Sequence, residues 1–195
     1  MNSMEITRKR ISELSELLPK FESECIAALV EASEMLTLAF RSGAKILICG
    51  NGGSAADSQH FAAELVSAFS RDLKRPALSA IALTVDTSII TAFSNDFGFE
   101  NVFARQVEAH GKKDDVLIAI TTSGSSKNCI AAVLVAKSLG MKTIALTRRG
   151  AMITAETDLS VEIPSTNTQH IQECHILGYH IMSELIEEAL YGGTK

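Results

Sequence analysis

The sequence predicts an α/β protein: one parallel sheet with helices on both faces and a long helical segment ahead of it. Three observations carry this. Short aliphatic runs recur at 44–49 (AKILIC), 80–85, 115–122 (DVLIAITT), 142–147 and 159–164, and helical patterns separate them. Strands this uniformly apolar are buried on both faces, as in parallel sheets. Glycine- or serine-rich turns follow the first and third runs, at the strand ends where such sheets bind ligands.

In chain order, residues 4–42 read as helix, interrupted or redirected near Pro19. Beyond it Phe21, Cys25, Leu29, Ala32, Leu36 and Phe40 recur at helical spacing, and Ser42-Gly43 ends the helix. The apolar positions Ile6, Ile11, Leu14, Leu18, Phe21 and Leu29 extend beyond what one sheet face can cover. The stripe is therefore expected to pack against a second copy of the chain. The first strand leads through Gly50-Asn51-Gly52-Gly53 into a helix from 54 to 68. The second is followed by helical stretches near 87–94 and 101–109, and the third by a serine-rich turn and a helix reaching 139. The fourth and fifth strands follow, and a last helix spans 168–190. The 195 residues suit one domain, with 1–42 as a helical oligomerisation segment and 43–195 as the α/β core.

Composition narrows the function. With no Trp and 5% aromatic residues, the core must be aliphatic. A net charge of −5 argues against nucleic acid as the main partner. The beginning of the sequence has no apolar signal core and no run reaches transmembrane length, so a cytoplasmic, membrane-free protein is expected. The four cysteines are scattered without a C-x-x-C pair and read as small core residues.

Five segments could carry chemistry. The turn GNGGSAADSQH lets the backbone approach a ligand closely and opens a helix whose free amides can face an anion or polar group. It satisfies neither the P-loop pattern nor, convincingly, the dinucleotide fingerprint, since Asp86 lies far from Gly50. His60 and Glu64, four residues apart, share a helix face; they suit a metal, an acid–base pair, or a plain surface pair. The turn Thr121-Thr122-Ser123-Gly124-Ser125-Ser126-Lys127-Asn128 sets hydroxyls, amides and a helix start together, which makes a phosphate cradle. Asn95-Asp96 could bond sugar hydroxyls or form an Asx turn. On the last helix, Gln172 and His180 lie eight residues apart and point into one quadrant, in a segment holding three of the five histidines.

In combination, NGGSAADSQHFAAEL, FSNDFGFENVFARQVEA, TTSGSS, GMKTIALT and IQECHILGYH resemble the sugar isomerase (SIS) family and, within it, the phosphoheptose isomerases. The resemblance runs from Phe21 to Leu190. It implies an SIS-type three-layer α/β/α sandwich with a five-stranded parallel sheet. It also implies conversion of sedoheptulose 7-phosphate to a heptose 7-phosphate for bacterial surface polysaccharide, in a homotetramer with active sites between subunits. By position, Asn51, Gly52, Gly53, Ser54, Asn95 and Asp96 would contact substrate, together with Glu64 and Gln172. Thr121, Thr122, Ser123 and Ser126 would hold the phosphate. Glu64 and His180 would be the acid–base pair, and His60, Glu64, Gln172 and His180 the zinc position, one zinc per subunit. The family turn usually reads Ser-Thr-Ser-Gly-Asn-Ser; here Thr121 and Ser125 differ, which bears on substrate preference more than on phosphate binding. Two alternatives remain: a non-catalytic SIS module binding a partner such as the replication initiator, and an SIS protein for another sugar phosphate. An acid–base pair is needless in a pure binding module, which favours the enzyme.

Overall fold

The computed structural model describes residues 2–192. In chain order the elements are α1 (Ser3–Arg41), β1 (Ile46–Gly50), α2 (Gly53–Val66), β2 (Ala80–Ala82), α3 (Thr87–Phe97), α4 (Val102–His110), β3 (Val116–Ile120), α5 (Lys127–Ser138), β4 (Lys142–Arg148), β5 (Leu159–Ile163) and α6 (Thr168–Tyr191). The strands form one parallel sheet in the order β2-β1-β3-β4-β5.

Alternate side chains enter two separate cores. Ile46, Ile48, Ile118, Ile120, Ile144 and Leu146 pack under α1, α2 and α6. Leu47, Cys49, Leu117, Ala119 and Ala145 pack under α4 and α5. The sandwich is thus three-layered, as the aliphatic runs require. All four cysteines are buried and free, in keeping with their reading as core residues.

Two elements differ from the sequence reading. Helix α1 runs unbroken through Pro19. Proline removes one intrahelical bond and costs roughly 3 kcal/mol in a helix interior. Leu17 and Phe21, on either side of it, are buried in the core, and Phe21 and Leu29 lie against Gly178 of α6, so tertiary packing holds both halves in line. Second, β2 has three residues rather than six. One further bond, Leu83 N–H to the Ile48 carbonyl, extends the pairing; the chain then turns to Asp86, whose carboxylate caps α3 by accepting from Ile89 N at 2.9 Å.

The apolar stripe of α1 also divides. Phe21 and Leu29 belong to the chain's own core, whereas Ile6, Ile11 and Leu18 remain exposed at 49%, 63% and 39%.

Candidate functional site

β1 has β2 on one side and β3 on the other, so the chain winds in opposite directions from this point. The crevice at such a switch point, beyond the carboxyl ends of the strands, is where open α/β sheets bind ligands. The glycine turn after β1 and the hydroxyl turn after β3 flank it. Their side chains are joined by a reciprocal amide pair: Asn51 Nδ2 donates to Asn128 Oδ1 and Asn128 Nδ2 to Asn51 Oδ1, both at 2.8 Å. The Asn51 side chain therefore braces the two turns together.

Thr121 organises the hydroxyl turn. Its Oγ1 lies 3.0 Å from Ser126 Oγ and 3.4 Å from Ser123 Oγ, and accepts from Gly124 N at 3.1 Å. Ser125 donates to Ser123 Oγ from its backbone N and its hydroxyl, both at 3.3 Å. Gly124 holds φ +67°, and a Cβ there would strike Ala151 and Thr147. Ser126 is the N-cap of α5 but makes no side-chain capping bond. The Cys129 amide is taken by Asn128 Oδ1 at 3.0 Å, which leaves those of Lys127 and Asn128 open; with the helix dipole they suit an anion. Lys127 points away, paired with Glu100 at 2.8 Å.

Across the crevice, α2 and α6 bring chemical groups together. His60, Glu64 and His180 each offer a ligand atom, and these atoms lie within 4.8 Å of one another. His60 Nε2 is 3.0 Å from Glu64 Oε1, and His60 Nδ1 is 2.8 Å from the hydroxyl of buried Tyr179. The His60 and His180 rings meet edge-on with centroids 5.0 Å apart. Phe69 lies 5.7 Å from the His180 ring. Its loop is pinned by Glu187, which accepts from Phe69 N, Ser70 N and Arg75 Nε at 2.7–3.0 Å. Burial, then the neighbouring His60, lower the His180 pKa; Glu64 opposes them.

Gln172 stands nearer the start of α2. Its Nε2 donates to Asp57 Oδ2 at 3.1 Å, and its amide lies so close to Gly53 that a Cβ there would overlap it. Burial raises the pKa of Asp57, while Gln172 and His60 lower it.

Most of the expected residues gather at this crevice: Asn51, Gly52, Gly53 and Ser54; Thr121, Thr122, Ser123 and Ser126; and His60, Glu64, Gln172 and His180. Of the four expected zinc ligands, three converge, while the Gln172 amide is engaged with Asp57. Two histidine nitrogens and a carboxylate oxygen fit the donor set of a zinc site with an open position, and Tyr179 on the far nitrogen of His60 is the kind of partner that orients a ligating ring. Two placements bear on how the expected site is divided between chains. A site shared between chains could divide Glu64 from His180, yet here the parallel packing of α2 on α6 joins them within one chain. Asn95 and Asp96 are exposed near the end of α3, where Asn95 Nδ2 donates to Asp96 Oδ1 at 2.8 Å. Among the described residues they form no hydrogen bond with either turn. Asp57 and Asn128 lie within the two turns singled out in the sequence but had no role assigned there, and Tyr179 was not singled out at all. Asp57 was within reach: with His60 and Glu64 it follows i, i+3, i+7 spacing on one helix face.

The sequence matches the SIS domain family over residues 11–148. It is 48% identical to the phosphoheptose isomerase of Trichlorobacter lovleyi, over 94% of this chain and 93% of that protein. Two solved phosphoheptose isomerase structures superpose over 96% of this chain and 100% of theirs. They are from Neisseria gonorrhoeae, at 41% identity and TM-score 0.90, and from Francisella tularensis, at 36% and 0.92.

Proposed function

The chain belongs to the SIS domain family and, within it, to the phosphoheptose isomerases, and on that premise we propose that it interconverts sedoheptulose 7-phosphate and D-glycero-D-manno-heptose 7-phosphate. The observation that carries this reading is the convergence of Glu64 and His180 across the switch-point crevice from a hydroxyl-rich turn suited to an anion. The heptose product would feed nucleotide-activated heptose for bacterial surface polysaccharide, in the cytoplasm.

The phosphate sits on the hydroxyl turn and the first amides of α5, which leaves C1 and C2 of the open-chain sugar toward Glu64. One Glu64 oxygen faces His60; the other takes a proton from C1. The C1–H electron pair becomes the C1–C2 double bond, and the carbonyl pair moves to O2. His180, close to Glu64, relays the proton that O2 gains and O1 loses. Glu64 then returns its proton to C2, leaving the aldehyde at C1. His180 also assists ring opening. Positioned proton transfers of this kind contribute about 10²–10⁴-fold each. Zinc held by His60, His180 and the Glu64 oxygen that faces His60, with Gln172 as a further oxygen donor, would supply positive charge to the developing oxyanion and would leave the second Glu64 oxygen and the second His180 nitrogen for the protons.

The protein is proposed to be a homotetramer with sites at subunit interfaces. Support comes from exposed Ile6, Ile11 and Leu18 on α1, and from α3, which has no buried residue and exposes Phe97 at 71%. Asn95 and Asp96 share that exposed helix, so a neighbouring chain could complete contacts they do not make within their own. Light scattering giving a monomer mass would overturn the assembly.

Turnover of sedoheptulose 7-phosphate by the purified protein tests the reaction. Production of the aldose supports it. No turnover of this substrate, with turnover of another ketose or aldose phosphate or with stable capture of a replication initiator, would favour one of the alternatives.

A further inference from the structure

Arg148 is the last residue of β4. The register Ile120 to Leu146 sets it opposite Thr122, just past the end of β3. Ile144 and Leu146 face the core beneath α1 and α6, so the alternation of the strand sends Arg148 to that same side of the sheet. Its side chain reaches the hydroxyl turn, where Nε donates to the Ser123 carbonyl at 3.2 Å; Nη1 lies 3.5 Å from the Arg149 carbonyl. Ser123 is therefore held at both ends, by Thr121 and Ser125 on its hydroxyl and by Arg148 on its carbonyl.

Charge distinguishes Arg148 from the other cations nearby. Lys127 is paired with Glu100, and Arg149 with Glu24. Among the described residues, half-buried Arg148 forms no ion pair, although it lies against a turn whose hydroxyls and open helix amides suit a dianion. Without it, that turn offers only neutral donors and the fractional charge of a helix end. A guanidinium matches phosphate oxygens in geometry as well as charge.

We propose that Arg148 is a positioning residue for the phosphate end of the substrate: it fixes the Ser123 carbonyl and supplies the unpaired positive charge that the phosphate dianion meets. The proposal rests on the hydroxyl turn being the phosphate site of the reaction above. Calorimetric titration of inorganic phosphate into the wild type, Arg148→Lys and Arg148→Gln, at low and high ionic strength, tests it. Steady-state kinetics on sedoheptulose 7-phosphate accompany the titrations, and circular dichroism checks the fold. Arg148→Gln should weaken phosphate binding and raise KM by about 10-fold or more, with kcat changed far less, and should flatten the salt dependence. Arg148→Lys should recover part of the loss, because it keeps the charge but not the planar fork. Wild-type phosphate affinity and KM in Arg148→Gln would overturn the proposal. So would an Arg148→Lys protein no better than Arg148→Gln, because the residue would then act as a brace without its charge. A wild type that binds phosphate through Arg148 but does not turn over the sugar would overturn the reaction and uphold the residue's role. A wild type that binds no phosphate would overturn both.

Discussion

Replacing Gly53 by alanine tests how the crevice is assembled. Gly53 opens α2 and lies outside the left-handed region, so alanine meets no backbone strain there. Within a helix alanine is even favoured, by up to about 1 kcal/mol. The new Cβ, however, would overlap the Gln172 amide and drive it off Asp57. A hydrogen bond to a charged partner contributes about 1.5–3 kcal/mol. The net cost is then about 0.5–2 kcal/mol, a fall of a few degrees in Tm for a chain of this size. Thermal unfolding and turnover would be measured for Gly53→Ala, Gln172→Ala and the double variant. Because Gln172→Ala removes the colliding amide, Gly53→Ala should cost little or nothing in that background, a coupling of about 1 kcal/mol or more. Equal cost in both backgrounds, or no cost in the wild type, would refute this account of the α2–α6 contact.

Ser123→Ala and Ser126→Ala should each raise KM more than they lower kcat, on the order of 10-fold for one bond to a charged phosphate; unchanged KM in both would place the phosphate elsewhere. Tyr179→Phe removes the hydroxyl 2.8 Å from His60 Nδ1 and should weaken zinc binding by about 10- to 100-fold in a metal titration, whereas wild-type affinity would exclude Tyr179 as the group that orients His60. His175 is 1% exposed, and burial pushes its pKa down to about 4, with the Thr147 backbone opposing. The unfolded chain therefore binds one more proton between about pH 6.5 and 4, so stability falls as pH drops through that window by up to about 3 kcal/mol. Denaturant unfolding should show this loss in the wild type but not in His175→Gln, and equal losses would remove His175 from the acid limb.

The sheet was legible because its strands are short and aliphatic on both faces, and the turns after β1 and β3 carry a glycine and a hydroxyl cluster. Boundaries were less so. The β-like residues after Ala82 leave the ladder because Asp86 caps a new helix there. Pro19 signals a break that local chemistry favours and packing against α6 overrides. Within the site, His60 and Glu64 were readable from helix spacing alone. Their meeting with His180, and the roles of Tyr179 and Asn128, depend on partners far along the chain, 77 residues away in Asn51–Asn128 and 119 in His60–Tyr179. Arg148 gave no sequence signal, since only the β3–β4 register sets it beside the hydroxyl turn.

The central claim is that Glu64 moves the proton between C1 and C2, and Glu64→Gln tests it most directly. Glutamine keeps the size of the side chain and can still bond to His60, so circular dichroism and oligomeric mass should match the wild type. Turnover of sedoheptulose 7-phosphate should fall by at least about 10²-fold, the low end for a positioned general base. A folded Glu64→Gln protein with kcat near the wild-type value would contradict the account.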